Sequence, residues 1–285
     1  MSGFGLPDPI CRHLRLVTKV MNLDETVLQI LQLTVTTVMD VADISIENVN
    51  FSSLDLSNED LSGFNMRDSN FKDANLSNAN LTGANLTGAN LNRANLKYSN
   101  LTCTNLTGAN LSYANLTYAN LTNAILDYAE LNSAYLMHAI LINVQSHGIY
   151  LQMAHLQDAV MKFAKLKHAN LYYADLTRVC LDYANLEYAN LTNAYLKNAN
   201  LTGANLKIAN FKNANLTNAN MTCTDLENAN LTNANLKNAN LTGANLKNAN
   251  LTNANVTCTD QENANLTDNN LTKSNLENTT ITSPI

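Results

Sequence analysis

The sequence predicts an all-β solenoid, and three observations carry that expectation. One five-residue phrase, A-N-L-x-x, runs from Ile46 to Ile281 without an insertion, giving 48 repeats. Its central position is apolar everywhere except at Ser146 and Gln261. A period of five also fits neither regular element. Five helical residues turn through about 500°, which scatters successive leucines around the axis, and in a strand an odd period sends them to alternate faces. A chain that bends by a constant angle at each repeat keeps every centre inside a coil, with successive coils stacked on one shared core.

Composition within the repeat justifies each side of the coil. Two positions before the centre sits a small residue, as at Ala74, Ala79 and Ala84, able to point inward beside the Leu in a narrow interior. Two positions after it, Gly or Asn is frequent, as at Gly83, Gly88, Gly108, Asn193, Asn198, Gly203 and Asn213. These residues tolerate φ > 0, which the third position of a type II turn requires. Every glycine from Gly63 onward takes this slot, and Pro7, Pro9 and Pro284 lie outside the repeats. Proline would remove an N–H needed between coils. The Thr, Lys and Ser that directly follow the centre are expected to be exposed.

A repeat of this form resembles that of the pentapeptide-repeat proteins, whose pattern is A-[DN]-L-x-x. The resemblance spans roughly residues 46–281 and implies a right-handed quadrilateral β-helix with four repeats per coil. Stacked about 4.8 Å apart, the coils would make a rod about 57 Å long.

The chain divides at residue 43. Residues 1–43 are expected to form a short N-terminal helical cap, and residues 44–285 the pentapeptide-repeat β-helix. Ile10, Leu14, Val17 and Met21 recur at helical spacing after Pro9, and Val27, Leu28, Leu31, Val35 and Val38 do so after a capping-box-like Asn22-Leu23-Asp24-Glu25. An open solenoid end exposes apolar groups and unpaired amides, which such a cap would cover. Leu6-Pro7 followed by Ile10 and Leu14 is also similar to the start of an F-box, which would make the segment a recruiting adaptor, although the chain has no Trp. At the other end, Asn269, Ser274 and Thr279 replace the inward Ala, and fraying is expected there.

Charge and cysteine usage narrow the function. The net charge is −6, and only 14% of residues are charged. No basic stripe supports direct nucleic-acid binding. No run of 18 apolar residues and no signal sequence indicates membrane insertion or export. The five cysteines are odd in number, and Cys103 and Cys223 fall six coils apart, beyond disulfide reach. A reducing, cytoplasmic setting is therefore expected. The N-L-T triplets match glycosylation acceptors formally, yet the repeat generates them, and stacked Asn ladders are the expected use of those side chains.

Residues twenty apart should stack on one face. From Arg93 to Tyr188 the Gly or Asn after the centre gives way to larger side chains. Tyr98, Tyr118, His138, Asp158 and Arg178 form one column, and Arg93, Tyr113, Ser133, Met153 and Tyr173 another. Arg93, Tyr98, Tyr113, Tyr118, His138, Asp158, Tyr173 and Arg178 are therefore the candidate interaction surface, since Tyr and Arg are enriched in binding hot spots. Stacking that merely supports neighbouring coils is the alternative use.

Catalytic chemistry finds no constellation. Around Ser146-His147-Gly148 the polar centre is flanked by bulky Val144 and Ile149 in the small positions, which points to a local distortion and not to a Ser–His pair. His138, His147, His155 and His168 are read as dispersed over different faces, without zinc-ligand spacing. Cys103, Cys223 and Cys258, each in a T-C-T phrase, fall just outside the core side as tolerated small residues. No catalytic, cofactor or metal site is expected.

The leading expectation is a non-catalytic structural or protein-interaction module whose rigid rod binds a macromolecular partner, most naturally a protein. The oligomeric state is left open. From another class, the resemblance implies that some members inhibit a type II topoisomerase by mimicking DNA. Mimicry needs dense negative charge, whereas residues 46–285 carry 18 acidic and 14 basic residues. The position before the centre is mostly neutral Asn, with exceptions such as Glu130, Asp175, Asp225 and Asp260.

Overall fold

The computed structural model describes Arg12 and residues 46–279. Over that span, parallel bridges join the residue before each centre to its equivalent twenty residues on, from Asn50–Asn70 to Asn255–Asn275. Twenty residues hold four repeats, so the coil is four-sided and its register never slips.

The backbone explains why the phrase must be repeated so faithfully. In the repeat centred on Leu81, the Leu81 N–H donates to the Asn100 carbonyl at 2.7 Å and the Gly83 N–H to the Thr102 carbonyl at 2.9 Å, both in the next coil. The Asn85 N–H reaches back to the Phe64 carbonyl at 2.9 Å, and the Ala84 N–H closes the turn onto the Leu81 carbonyl at 3.0 Å. The fifth amide, that of Thr82, has no carbonyl partner and donates to Asn80 Oδ1 at 3.2 Å. Every amide of the repeat is thereby satisfied, and one of them only because the residue before the centre is Asn. The Asn amide nitrogen goes to the coil before it, as in Asn85 Nδ2 to Asn65 Oδ1 at 3.0 Å.

Inside, Leu centres and Ala neighbours fill the interior with no solvent contact across most of the rod. Phe51 and Phe71 stack in the core at 4.6 Å between ring centroids. The residue two after each centre has positive φ throughout, including Tyr98, Met153, Phe163 and Ile208 at +61°, +56°, +59° and +58°. The left-handed turn is thus imposed by the coil even where the side chain disfavours it.

Two expectations need adjustment, and a third falls outside the described residues. The Thr and Ser directly after the centre are mostly half-buried and not exposed, and Ser112 and Thr117 are buried. Many of these Thr hydroxyls donate to the Asn two residues before, as Thr82 Oγ1 does to Asn80 Oδ1 at 2.7 Å, which draws them against the coil. The distortion at Ser146 is confined to the turns. The bonds that Val144 and Ile149 would close onto Leu141 and Ser146 are absent among the described residues, while both inter-coil amides of that repeat, Ser146 and Gly148, stay paired. The two turns are open here without any shift of the register, although Val179, also β-branched in the small position, keeps its turn bond to Leu176 at 3.1 Å. The helical cap of residues 1–43 lies outside the described residues, Arg12 excepted. That residue sits against the first coil, with Nη1 3.0 Å from Asp60 and 2.7 Å from Ser62 Oγ, and its guanidinium 5.5 Å from the Phe64 ring centre.

At the opposite end the core opens. Leu266 and Leu271 are only partly buried and Leu276 is exposed. Ser274 and Thr279 use their hydroxyls to reach the Leu251 and Val256 carbonyls at 2.6 and 2.8 Å, in agreement with the polar substitutions seen there.

Candidate interaction face

The asparagine that caps each repeat is missing from nine consecutive repeats, Ile125 to Lys165. Among the described residues the intra-repeat amide cap disappears over the same stretch. Two of the freed amides find substitutes in the preceding coil, His147 on Asp127 Oδ1 at 2.7 Å and Gln152 on Asn132 Oδ1 at 3.2 Å. Here the chain departs from the residue that caps the coil elsewhere, while the bridge register continues unbroken.

Exposed large apolar side chains gather around the same place. Among the described residues, all of them apart from Leu276 lie between Tyr98 and Ile208. Most sit at the left-handed position, where a bulky side chain costs on the order of 1 kcal/mol. They form a belt around the middle of the rod.

One side of the belt is the most elaborated, the face with Leu116, Leu136, Leu156 and Leu176 behind it. Its far edge is the expected column. Tyr98 stacks on Tyr118 at 5.2 Å and Tyr118 on His138 at 4.7 Å. Lys97 Nζ lies 4.9 Å from the Tyr98 ring centre. Asp158 then accepts both Nε and Nη2 of Arg178 at 2.7 Å, a two-pronged pair that closes the column. That hydrogen bond, aided by the charges of Arg178 and His138, holds the Asp158 carboxyl below its ordinary range. Tyr98 and Tyr118 still expose about half of their surface, 51% and 47%.

The near edge was not anticipated from sequence. Tyr135, His155, Asp175 and Tyr195 are joined in one bridge column, with Tyr135 stacked on His155 at 4.9 Å. Both edges thus run Tyr, His, Asp, in adjacent coils, and differ at the next coil: Arg178 on one, Tyr195 on the other. Beside the near edge runs the second expected column. Its lower end is a pair, Arg93 Nε to Asp73 Oδ1 at 2.8 Å, followed by exposed Tyr113. Ser133, Met153 and Tyr173 line an open groove of about 400 Å³ with Ala154, His155, Asp175 and Tyr195.

Elsewhere on the belt, His147 meets His168 edge-on at 5.1 Å, His168 stacks on Tyr188 at 4.9 Å, and Tyr128 touches His147 at 5.7 Å. The expectation that the histidines are dispersed is therefore corrected for this pair. A step of 21 residues lets the residue after one centre meet the residue two after the centre in the next coil. Ser146 is buried and donates to the Lys165 carbonyl at 3.0 Å, turned inward from His147. Among the described residues no three His, Cys, Asp or Glu side chains converge as metal ligands, and no helix is long and apolar enough to cross a membrane.

A four-sided coil built on an unbroken A-N-L-x-x repeat defines a class of protein, and sequence comparison agrees. The family model for pentapeptide repeats matches repeatedly, over residues 45–83, 74–112, 104–143, 147–182, 180–207, 209–248 and 244–282, and the chain belongs to that family. Among solved structures it is similar to HetL of the cyanobacterium Nostoc sp. strain PCC 7120, described as involved in heterocyst differentiation regulation. That match has 28% identity over 88% of this chain and 94% of HetL, with a TM-score of 0.30. It is also similar to Rfr23 of the cyanobacterium Cyanothece 51142, at 39% identity over 35% of this chain and 62% of Rfr23, TM-score 0.27. Full-length QnrB1, a plasmid-mediated fluoroquinolone resistance protein, matches at 15% identity over 83% of this chain and 93% of its own, TM-score 0.25. No curated protein matches the chain.

Proposed function

We propose that the chain is a non-catalytic interaction module, a stiff coil of the right-handed sense usual in its family, whose Leu156 face docks a protein partner. One observation carries this reading. The nine repeats that forgo the capping Asn lie inside an exposed aromatic belt that runs beyond them on both sides, from Tyr98 to Ile208, so departures from the repeat and exposed rings share the middle of the coil. Tyr and Arg held rigid on a repetitive scaffold lose little side-chain freedom on binding, which favours them as anchors. The free state of Cys103, Cys180, Cys223 and Cys258 suits a reducing compartment such as the cytoplasm.

Topoisomerase inhibition by DNA mimicry gains less support. Several acidic side chains are neutralised across coils, with Lys207 Nζ 3.2 Å from Asp225 and 3.1 Å from Glu227, and Lys167 Nζ 2.9 Å from Glu187. Such pairing breaks up the continuous acidic face that mimicry needs.

The test is a triple truncation, Tyr98→Ala, Tyr118→Ala and Arg178→Ala, made in the full chain and assayed against a captured partner. If the face is the docking site, affinity falls by about 2 kcal/mol or more per anchor while the coil stays folded. If the columns only brace the coils, affinity holds and stability drops by roughly 0.2–1 kcal/mol per removed contact.

A further inference from the structure

The two edges of the Leu156 face differ in one respect that identifies a ligand. On the far edge Asp158 is neutralised within the chain by Arg178. On the near edge the equivalent successor of Asp175 is Tyr195, which carries no charge. Asp175 accepts only neutral donors: the Thr177 N–H at 3.0 Å, the Thr177 hydroxyl at 2.6 Å and Gln157 Nε2 at 2.6 Å. These fix its carboxylate without supplying a cation. Gln157 gives its amide nitrogen to this bond, while its Oε1 is buried without a protein partner. The carboxylate is half-buried and lines the groove together with Tyr173, Tyr195, Met153 and His155.

We propose that this groove receives an arginine side chain presented by the protein partner, the guanidinium pairing with Asp175 and lying against Tyr173 and Tyr195. A planar, weakly hydrated cation suits a carboxylate flanked by aromatic rings better than a compact ammonium does. Complementary charge supplies the argument for the occupant: among the described residues the groove carboxylate has no cation in ion-pair contact and feels Arg178 only through its charge, on a protein of net charge −6. The far edge shows the completed arrangement, a carboxylate beneath a guanidinium in a column of stacked rings, built there from the chain's own Arg178.

This inference rests on the interaction reading and is tested separately from it. Full-length protein with ¹³C-labelled tyrosine rings is titrated with a blocked Gly-Arg-Gly peptide, its citrulline isostere and Gly-Lys-Gly. The expected result is a saturable shift of the Tyr173 and Tyr195 signals by the Arg peptide, with Kd on the order of 1 mM, and roughly tenfold weaker binding of the citrulline peptide. Asp175→Asn, which restores the residue the repeat itself uses and should fold, is expected to lose the response about tenfold, whereas Asp158→Asn keeps it. Tyr195→Asn, likewise a repeat residue, provides a second variant with the same expected loss. Equal response to arginine and citrulline, an unchanged response in Asp175→Asn, or no shift at Tyr173 and Tyr195 would overturn the assignment, and a stronger lysine response would overturn the choice of guanidinium. A failed titration beside lost partner affinity in the triple truncation would remove this groove and leave the docking face standing.

Discussion

At the scale of single residues, the positions two after each centre are governed by the coil and not by propensity. Tyr113, Phe163, Arg178 and Ile208 all keep φ between +58° and +61°, a region that β-branched and bulky side chains avoid. The sequence made the Gly and Asn choices legible, but it did not say that a large side chain would accept the same dihedral instead of bending the coil. Aromatic rings also use the glycines of the next coil: a Cβ at Gly203 would meet the Tyr183 ring at 2.6 Å. At the centre, Leu186 has no solvent contact, and Leu186→Lys would put an unpaired charge into a dry interior. We expect a loss exceeding about 4 kcal/mol, read as a collapse of the thermal transition; an unchanged transition would contradict the burial. The cysteines separate in the same manner. Burial, then the hydrogen bond to Asp182 at 2.6 Å, raises the Cys180 thiol pKa, while Cys103, Cys223 and Cys258 are exposed. Iodoacetamide mapped by mass spectrometry should label those three well before Cys180, and equal rates would refute the difference.

At the scale of the repeat and its columns, asparagine is a backbone substitute. Asn205 caps the Lys207 N–H at 3.2 Å and donates to Asn185 at 3.2 Å. Asn205→Ala removes both bonds at once and leaves a half-buried amide unpaired, so we expect a cost of about 1–3 kcal/mol in denaturant unfolding. The same truncation at Lys165, inside the stretch that has no such cap, should cost far less. Asn ladders were legible from sequence because every column repeats; the near edge Tyr135, His155, Asp175 and Tyr195 was not, because attention to the left-handed position hid the substitutions one place before the centre. The absence of Asn over nine repeats was the available signal. The Asp158–Arg178 pair adds a pH dependence with a definite sign. The folded pKa of Asp158 is depressed by the Arg178 hydrogen bond, so the contribution is present above the unfolded carboxylate range and fades as pH falls through the lower folded value. Since both groups face solvent the effect is small and salt-sensitive. Melting temperatures from neutral pH down to about 2 should decline less steeply in Asp158→Asn than in the parent, the range being set by the ordinary carboxylate pKa near 3.9.

At the scale of the whole molecule, the coil is a one-dimensional stack in which each turn is held by its neighbours. The repeat of five predicts a coil, while its four sides were implied by the family resemblance and are shown by the twenty-residue bridges; the proposed belt depends on which exceptions fall on one face, which only stacking reveals. The described part ends in a coil with Leu276 exposed and inward polar groups. Hydrogen exchange should therefore begin among residues 266–279 and reach the Leu116 to Leu216 coils last, and uniform exchange along the rod would contradict a stack that opens from its end. The central claim is that recognition residues are laid over a coil that does not need them. The most direct measurement replaces the Leu156 face by the repeat's own residue, turning Tyr98, Tyr118, His138, Asp158, Arg178, Tyr135, His155, Asp175 and Tyr195 all to Asn, and compares thermal stability with partner capture. A melting temperature equal to or above that of the parent, with the partner lost, is the expected result; a partner still captured at parental affinity by the all-Asn face would contradict the account.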